Sequence, residues 1–186
     1  MINTPIMGLQ TSSQLAKTVS PLIDPANLKI VAYQVEGSLL TENPSLIRIA
    51  DIRELSNIGM IIDSSDEFIG AEDVVKIHDL IELGFELVGM NVIDEQKHRL
   101  GKVEDYSLDS ESFVIQQLRV RRGLLKSLTD TELLIHRSQI VEINDNNIIV
   151  KTTAKKVEPT MEAERRAYIN PFRNSVPQPE LTDSSS

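Results

Sequence analysis

Across residues 87–150, short apolar runs alternate with polar turns roughly every ten residues, a spacing that leaves room for strands but for no long helix. A chain patterned this way buries its side chains by folding into a small, sharply bent sheet. Leu87-Val88-Gly89-Met90-Asn91-Val92-Ile93 is an apolar run broken by a glycine, and the polar cluster Asp94-Glu95-Gln96-Lys97-His98-Arg99 separates it from Leu100-Gly101-Lys102-Val103. Gly89 and Gly101 fall within or beside strands, where a missing side chain marks a bend, a bulge or a close backbone approach.

Asp109-Ser110-Glu111-Ser112 reads as a turn, since Asp and Ser side chains bond their own backbone. In the run that follows, Phe113 and Ile115 share one parity and Leu118 and Val120 the other. A bulge at Gln116-Gln117 that switches faces reconciles them. Leu133-Leu134-Ile135-His136, Ile140-Val141-Glu142-Ile143 and Ile148-Ile149-Val150 supply further strands, the last two joined by the hairpin-prone Asn144-Asp145-Asn146-Asn147. About six short strands in so few residues predict a small barrel rather than an open sheet.

Gly89 in an apolar strand, Leu100-Gly101-Lys102-Val103-Glu104-Asp105, the Phe113-led strand and the closing pair Ile140-Val141-Glu142-Ile143 and Ile148-Ile149-Val150 together resemble the PRC-barrel domain. That family is similar across the barrel of the photosynthetic reaction centre H subunit, the C-terminal half of a ribosome maturation factor, and many small bacterial and archaeal proteins. The resemblance implies a non-enzymatic barrel that docks on partners, and it supplies no catalytic residue.

A fainter copy of the pattern lies upstream, in residues 6–62. Asp24-Pro25-Ala26-Asn27 aligns with Asp109-Ser110-Glu111-Ser112, and the strand from Leu28 with that from Phe113, both 85 residues apart (113 − 28). Met60-Ile61-Ile62 aligns with Ile148-Ile149-Val150 at a separation of 88 (148 − 60). Gly8 is set against Gly89, and Lys17-Thr18-Val19 against Gly101-Lys102-Val103. Apolar positions matched over a domain length argue for an internal duplication.

Between the copies, Val74, Ile77, Leu80 and Ile81 recur at helical spacing, acids stand in the first turn, and Gly84 offers a C-terminal stop. A short amphipathic helix is expected, with a strand through Val74-Val75 and Ile77 as the rival. After Val150 the chain carries Pro159, Pro171, Pro177 and Pro179 and ends in Ser184-Ser185-Ser186, the composition of a disordered tail. Within it, Tyr168-Ile169-Asn170-Pro171-Phe172 has the makings of a short linear motif, the alternative being a tail that rests loosely on the barrel.

A net charge of −9 opposes general binding to a nucleic acid backbone. Cysteine is absent, which removes disulfides and thiolate chemistry and fits a reducing cytoplasm. The start of the chain lacks the pattern of a secretory signal, and no run approaches the roughly 18 apolar residues of a membrane span. His78, His98 and His136 stand apart in sequence, without metal-ligand spacing. Gly101-Lys102-Val103 lacks the glycine and hydroxyl partners of a phosphate loop. Glu104-Asp105 and Asp94-Glu95, adjacent in strands or turns, point to opposite faces and read as solvated.

The most informative polar feature is the basic hairpin around Arg119, Arg121, Arg122 and Lys126. Its matches upstream are Gln34, Glu36, Gly37 and Thr41. Two readings stand beside each other: the hairpin binds an acidic partner surface or an RNA phosphate patch, or it pairs with the acidic linker of Glu72, Asp73, Asp79, Glu82 and Glu86. The chain is thus expected to be all-β, with a first PRC-type barrel (1–69), a linker (70–86), a second barrel (87–152) and a flexible tail (153–186). Barrels this small have marginal cores alone, so they should pack on each other or on a second chain. The expected role is a cytoplasmic, non-catalytic adaptor without cofactor or metal, docking on a protein complex and, as alternative, assisting ribosome assembly or RNA processing.

Overall fold

A computed structural model describes residues 1–38, 40–122 and 132–151. Alternation of buried and exposed side chains is realised as two sheets. The first holds β1 (Pro5–Gly8), β2 (Ser13–Asp24), β3 (Lys29–Glu36), β4 (Ser45–Arg48), β5 (Glu54–Ser56), β6 (Gly59–Ile62) and β7 (Phe68–Gly70), in the order β5-β6-β1-β2-β3-β4-β7. The second holds β8 (Asn91–Asp94), β9 (Arg99–Leu108), β10 (Ile115–Arg121), β11 (Glu132–His136), β12 (Ile140–Ile143) and β13 (Asn147–Val150), in the order β11-β10-β9-β8-β13-β12.

Traced from β12, the second sheet follows the path that the first follows from β5. In both, the pair formed by the first and the last strand of the path's hairpin set is parallel, β1 with β6 and β8 with β13, and the remaining ladders are antiparallel. Registers recur as well: Thr18 faces Val35 as Val103 faces Val120, and Tyr33 faces Ile47 as Leu118 faces Ile135. These are the separations of 85 and 88 read from the sequence. Two matches are corrected. Thr18, not Val19, stands where Val103 does. Ile6 pairs with Met60 and Val92 with Ile148, so Gly8 stands where Asp94 does, not where Gly89 does. Gly8 leaves room for the Leu15 side chain, whereas Asp94 accepts from the His98 amide, so the two equivalent positions carry different residues.

The ladders stay open. Among the described residues β5 and β7 do not pair with each other, nor do β11 and β12, so the expected closed barrels are curled sheets. Strands of three residues, as β5 and β7 are, offer too few backbone groups to seal a rim. Bulges supply the curl. The expected face switch is present, since the β9–β10 ladder shifts register between Ile115 and Gln117.

The two sheets share one apolar core. Ile6, Ile30, Tyr33 and Met60 of the first pack in the same cluster as Val92, Leu118, Ile135 and Ile148 of the second, all almost fully buried. Each such side chain contributes roughly 1.5–3 kcal/mol by leaving water. At the seam, the Ile30 amide donates to the Phe113 carbonyl (3.0 Å) and the Ile115 amide to the Leu28 carbonyl (2.8 Å). Leu28 and Phe113, 85 residues apart, both take a left-handed backbone, φ 52° and 57°, and both are buried. Met1–Thr152 forms a single compact unit.

The linker carries α1 (Val75–Leu83), with Ile77 and Leu80 buried and Gly84 closing it at φ 59°. The helical spacing therefore prevails over the strand rival. The acids precede the helix instead of filling its first turn, and Val74 caps it without a side-chain hydrogen bond. Ile77 packs with Ala32 and Leu46 on the outer side of the first sheet. Lys76 reaches the buried Asp24 carboxylate at 2.9 Å, tying α1 to the end of β2. The expected tail, with its linear motif, lies outside the described residues.

Candidate functional site

Residues of β2 in the first sheet and of β9 in the second sheet line a cleft of about 470 Å³. Its walls are Pro21 and Ile23 on β2, Tyr106 and Leu108 on β9, and the linker end from Phe85 to Val88, with Met1 and Ile2 along one lip. Several forces hold the lip in place. The buried Thr18 hydroxyl donates to the Met1 carbonyl (2.8 Å) and accepts from the Thr4 amide (2.9 Å), while the Asn3 amide donates to the Thr18 carbonyl (2.8 Å). At the other wall, the Gly89 amide donates to the Val103 carbonyl (2.8 Å) with φ 94°, a backbone that favours glycine.

The lining is apolar with an acidic rim. Met1, Ile2 and Val88 are 45%, 62% and 51% exposed, which is unusual for large apolar side chains gathered around one depression. Glu86, Glu104 and Asp105 supply carboxylates at the edge. Burial pushes the Tyr106 hydroxyl above the usual tyrosine range, and Asp105 beside it adds to the effect. Beneath it in the core, the Tyr33 hydroxyl is buried without a partner among the described residues, and its acidity is suppressed first by burial and then by Tyr106.

The basic residues singled out in the sequence occupy β10 and its end. Arg119 and Arg121 share the exposed face of β10, and Leu118 and Val120 are fully buried on the other. Arg119 pairs with Asp105 at 3.0 Å, and Arg121 with Glu104. These acids lie on the neighbouring strand β9, so the pairing engages neither the linker acids nor a free surface. Glu104 and Asp105 are thus partnered where solvation was expected. At the same ladder position in the first sheet, Ser20 and Gln34 make a neutral pair at 3.1 Å. Arg122 is exposed, and Lys126 lies outside the described residues.

The histidines serve their own turns. His98 binds Asp94 through its ring (2.9 Å) and its backbone amide (2.8 Å), closing the β8–β9 hairpin. His78 sits between Glu72 and Glu82 on α1, and His136 bonds Ser138 (2.8 Å). Among the described residues no group of three or more His, Cys, Asp or Glu could hold a metal ion. No helix there is long and apolar enough to cross a membrane.

Sequence reasoning did not find the cleft, because its walls come from segments more than eighty residues apart. One signal was present: in Phe85-Glu86-Leu87-Val88 the outward parity carries an apolar Val88.

The described residues form a two-sheet β protein with an apolar seam. Within it, residues 72–157 match the PRC-barrel domain, so the chain carries that domain over its second sheet and linker helix. Comparison with curated proteins finds no match.

Proposed function

We propose that this chain is a non-catalytic adaptor of the cytoplasm, built from two tandem PRC-type barrels and docking on a protein complex. The observation that carries the reading is the seam cleft, where large apolar side chains remain exposed around an ordered depression formed by both sheets. Recurrent strand order and registers support the duplication, with residues 1–69 as the first barrel, 70–86 as linker, 87–152 as the second barrel and 153–186 as tail.

Assistance in ribosome assembly is the rival, and the pairing of Arg119 and Arg121 with β9 carboxylates weighs against it, because it occupies the cations that would meet phosphate. Affinity purification of the full chain and of a chain ending at residue 150, with bound protein and RNA identified, tests the reading. Stoichiometric recovery of a protein partner supports it. Recovery of ribosomal subunits or RNA alone replaces it with the rival.

A further inference from the structure

The acidic character of the first half is not spread evenly. From Asp63 to Glu86 eight carboxylate residues meet a single basic one, Lys76, which is already committed to Asp24. On α1, Val75, Asp79, Glu82 and Leu83 recur at positions i, i+4, i+7 and i+8 and so share one face of the helix. That face is exposed, Val75 at 77% and Leu83 at 54%. It is an amphipathic surface turned outward, acidic and apolar at once.

This face runs into the seam cleft. Leu83, Phe85 and Glu86 line a smaller depression of about 210 Å³ beside α1, and Phe85 and Glu86 also line the cleft. Among the described residues no hydrogen bond or ion pair engages the Asp79 or Glu86 side chains. A continuous track results, with apolar Val75, Leu83, Val88 and Ile2 beside the carboxylates of Asp79, Glu82 and Glu86, of which Glu82 also lies 3.5 Å from the His78 ring.

We infer that this track binds a basic amphipathic segment of a protein partner, an apolar side chain filling the cleft while flanking lysines or arginines meet Asp79, Glu82 and Glu86. The inference rests on the docking role proposed above and names the chemistry of the partner. Charge complementarity selects the occupant. An acidic segment would face like charges along the whole track, and a neutral one would leave the carboxylates unmatched. The cleft volume suits one large apolar side chain with part of its neighbours.

Selection of a displayed random dodecapeptide library on the intact chain tests this. Enriched peptides should carry an aromatic or branched apolar residue flanked by Lys or Arg. Their binding should weaken at least tenfold as salt rises from 50 to 500 mM, on the order expected when several exposed ion pairs are screened. It should also weaken at least tenfold on a Glu86→Lys, Val88→Ser chain, whose substitutions lie at exposed positions and leave the circular dichroism spectrum and melting temperature unchanged. An enriched set that is acidic or uncharged, enrichment undiminished on the variant, or no enrichment overturns the inference. A cellular protein partner that still binds the variant would overturn the track while leaving the adaptor role standing.

Discussion

Tyr33 shows how costly one buried polar group can be. Its hydroxyl is buried and has no partner among the described residues, so Tyr33→Phe removes a polar group that burial penalises and should raise stability by about 0.5–1 kcal/mol, measured by urea unfolding at pH 7. The pH dependence has a defined sign. The folded hydroxyl holds its proton more tightly than the unfolded one, so this stability is fully present below the ordinary tyrosine value of about 10 and is lost as pH rises through the folded value. Tyr33→Phe should flatten the alkaline limb of the stability curve above about pH 10, leaving the part due to Tyr106. A limb as steep as in the parent would contradict the burial of that proton.

Gly101 is the opposite case. A side-chain carbon there would stand 2.2 Å from the Arg121 carbonyl oxygen with φ at 156°. That oxygen belongs to a ladder and cannot move aside, so Gly101→Ala should cost about 2–4 kcal/mol in thermal or urea unfolding. Such a loss marks a close backbone approach of β9 to β10, one of the roles the sequence offered for a glycine within or beside a strand.

At the scale of elements, the β8–β9 hairpin depends on Asp94. Burial opposes its charge, but hydrogen bonds from the His98 backbone and ring and from the Gln96 backbone outweigh that and hold its carboxyl below the usual aspartate range. The stability it contributes is present above the ordinary value of about 4 and is lost as pH falls through the lower folded value. Asp94→Asn should therefore shallow the acid limb of a pH-dependent unfolding series. The Arg119–Asp105 and Arg121–Glu104 pairs are exposed cross-strand pairs, so replacing either arginine by alanine should change stability by less than about 1 kcal/mol. A larger loss would mean that the basic hairpin is a structural element.

Turns and the helix were legible because their chemistry is local. Asp109 bonding the Ser112 amide and hydroxyl, the Asn144 side chain accepting from the Asn146 and Asn147 amides, and Gly84 ending α1 each depend on residues a few positions apart. The seam cleft was not legible, since Ile2, Pro21, Val88 and Tyr106 meet only once two sheets have docked. Nor was the open ladder, because hydrophobic parity specifies which face is buried and not whether edge strands reach each other.

At the scale of the whole molecule, the two sheets are bound into one unit by a common core and by the reciprocal hydrogen bonds of Leu28, Ile30, Phe113 and Ile115. Neither half presents a complete apolar interior without the other, and the cleft exists only in their junction. Urea unfolding followed at once through isoleucine methyl resonances of the first sheet, Ile6 and Ile30, and of the second, Ile115 and Ile148, tests this directly. All four should vanish in one transition with a common midpoint, and Phe113→Ala should shift that midpoint equally in both sheets by a loss of about 3–5 kcal/mol. Two separate midpoints, or a shift confined to the second sheet, would contradict the shared core.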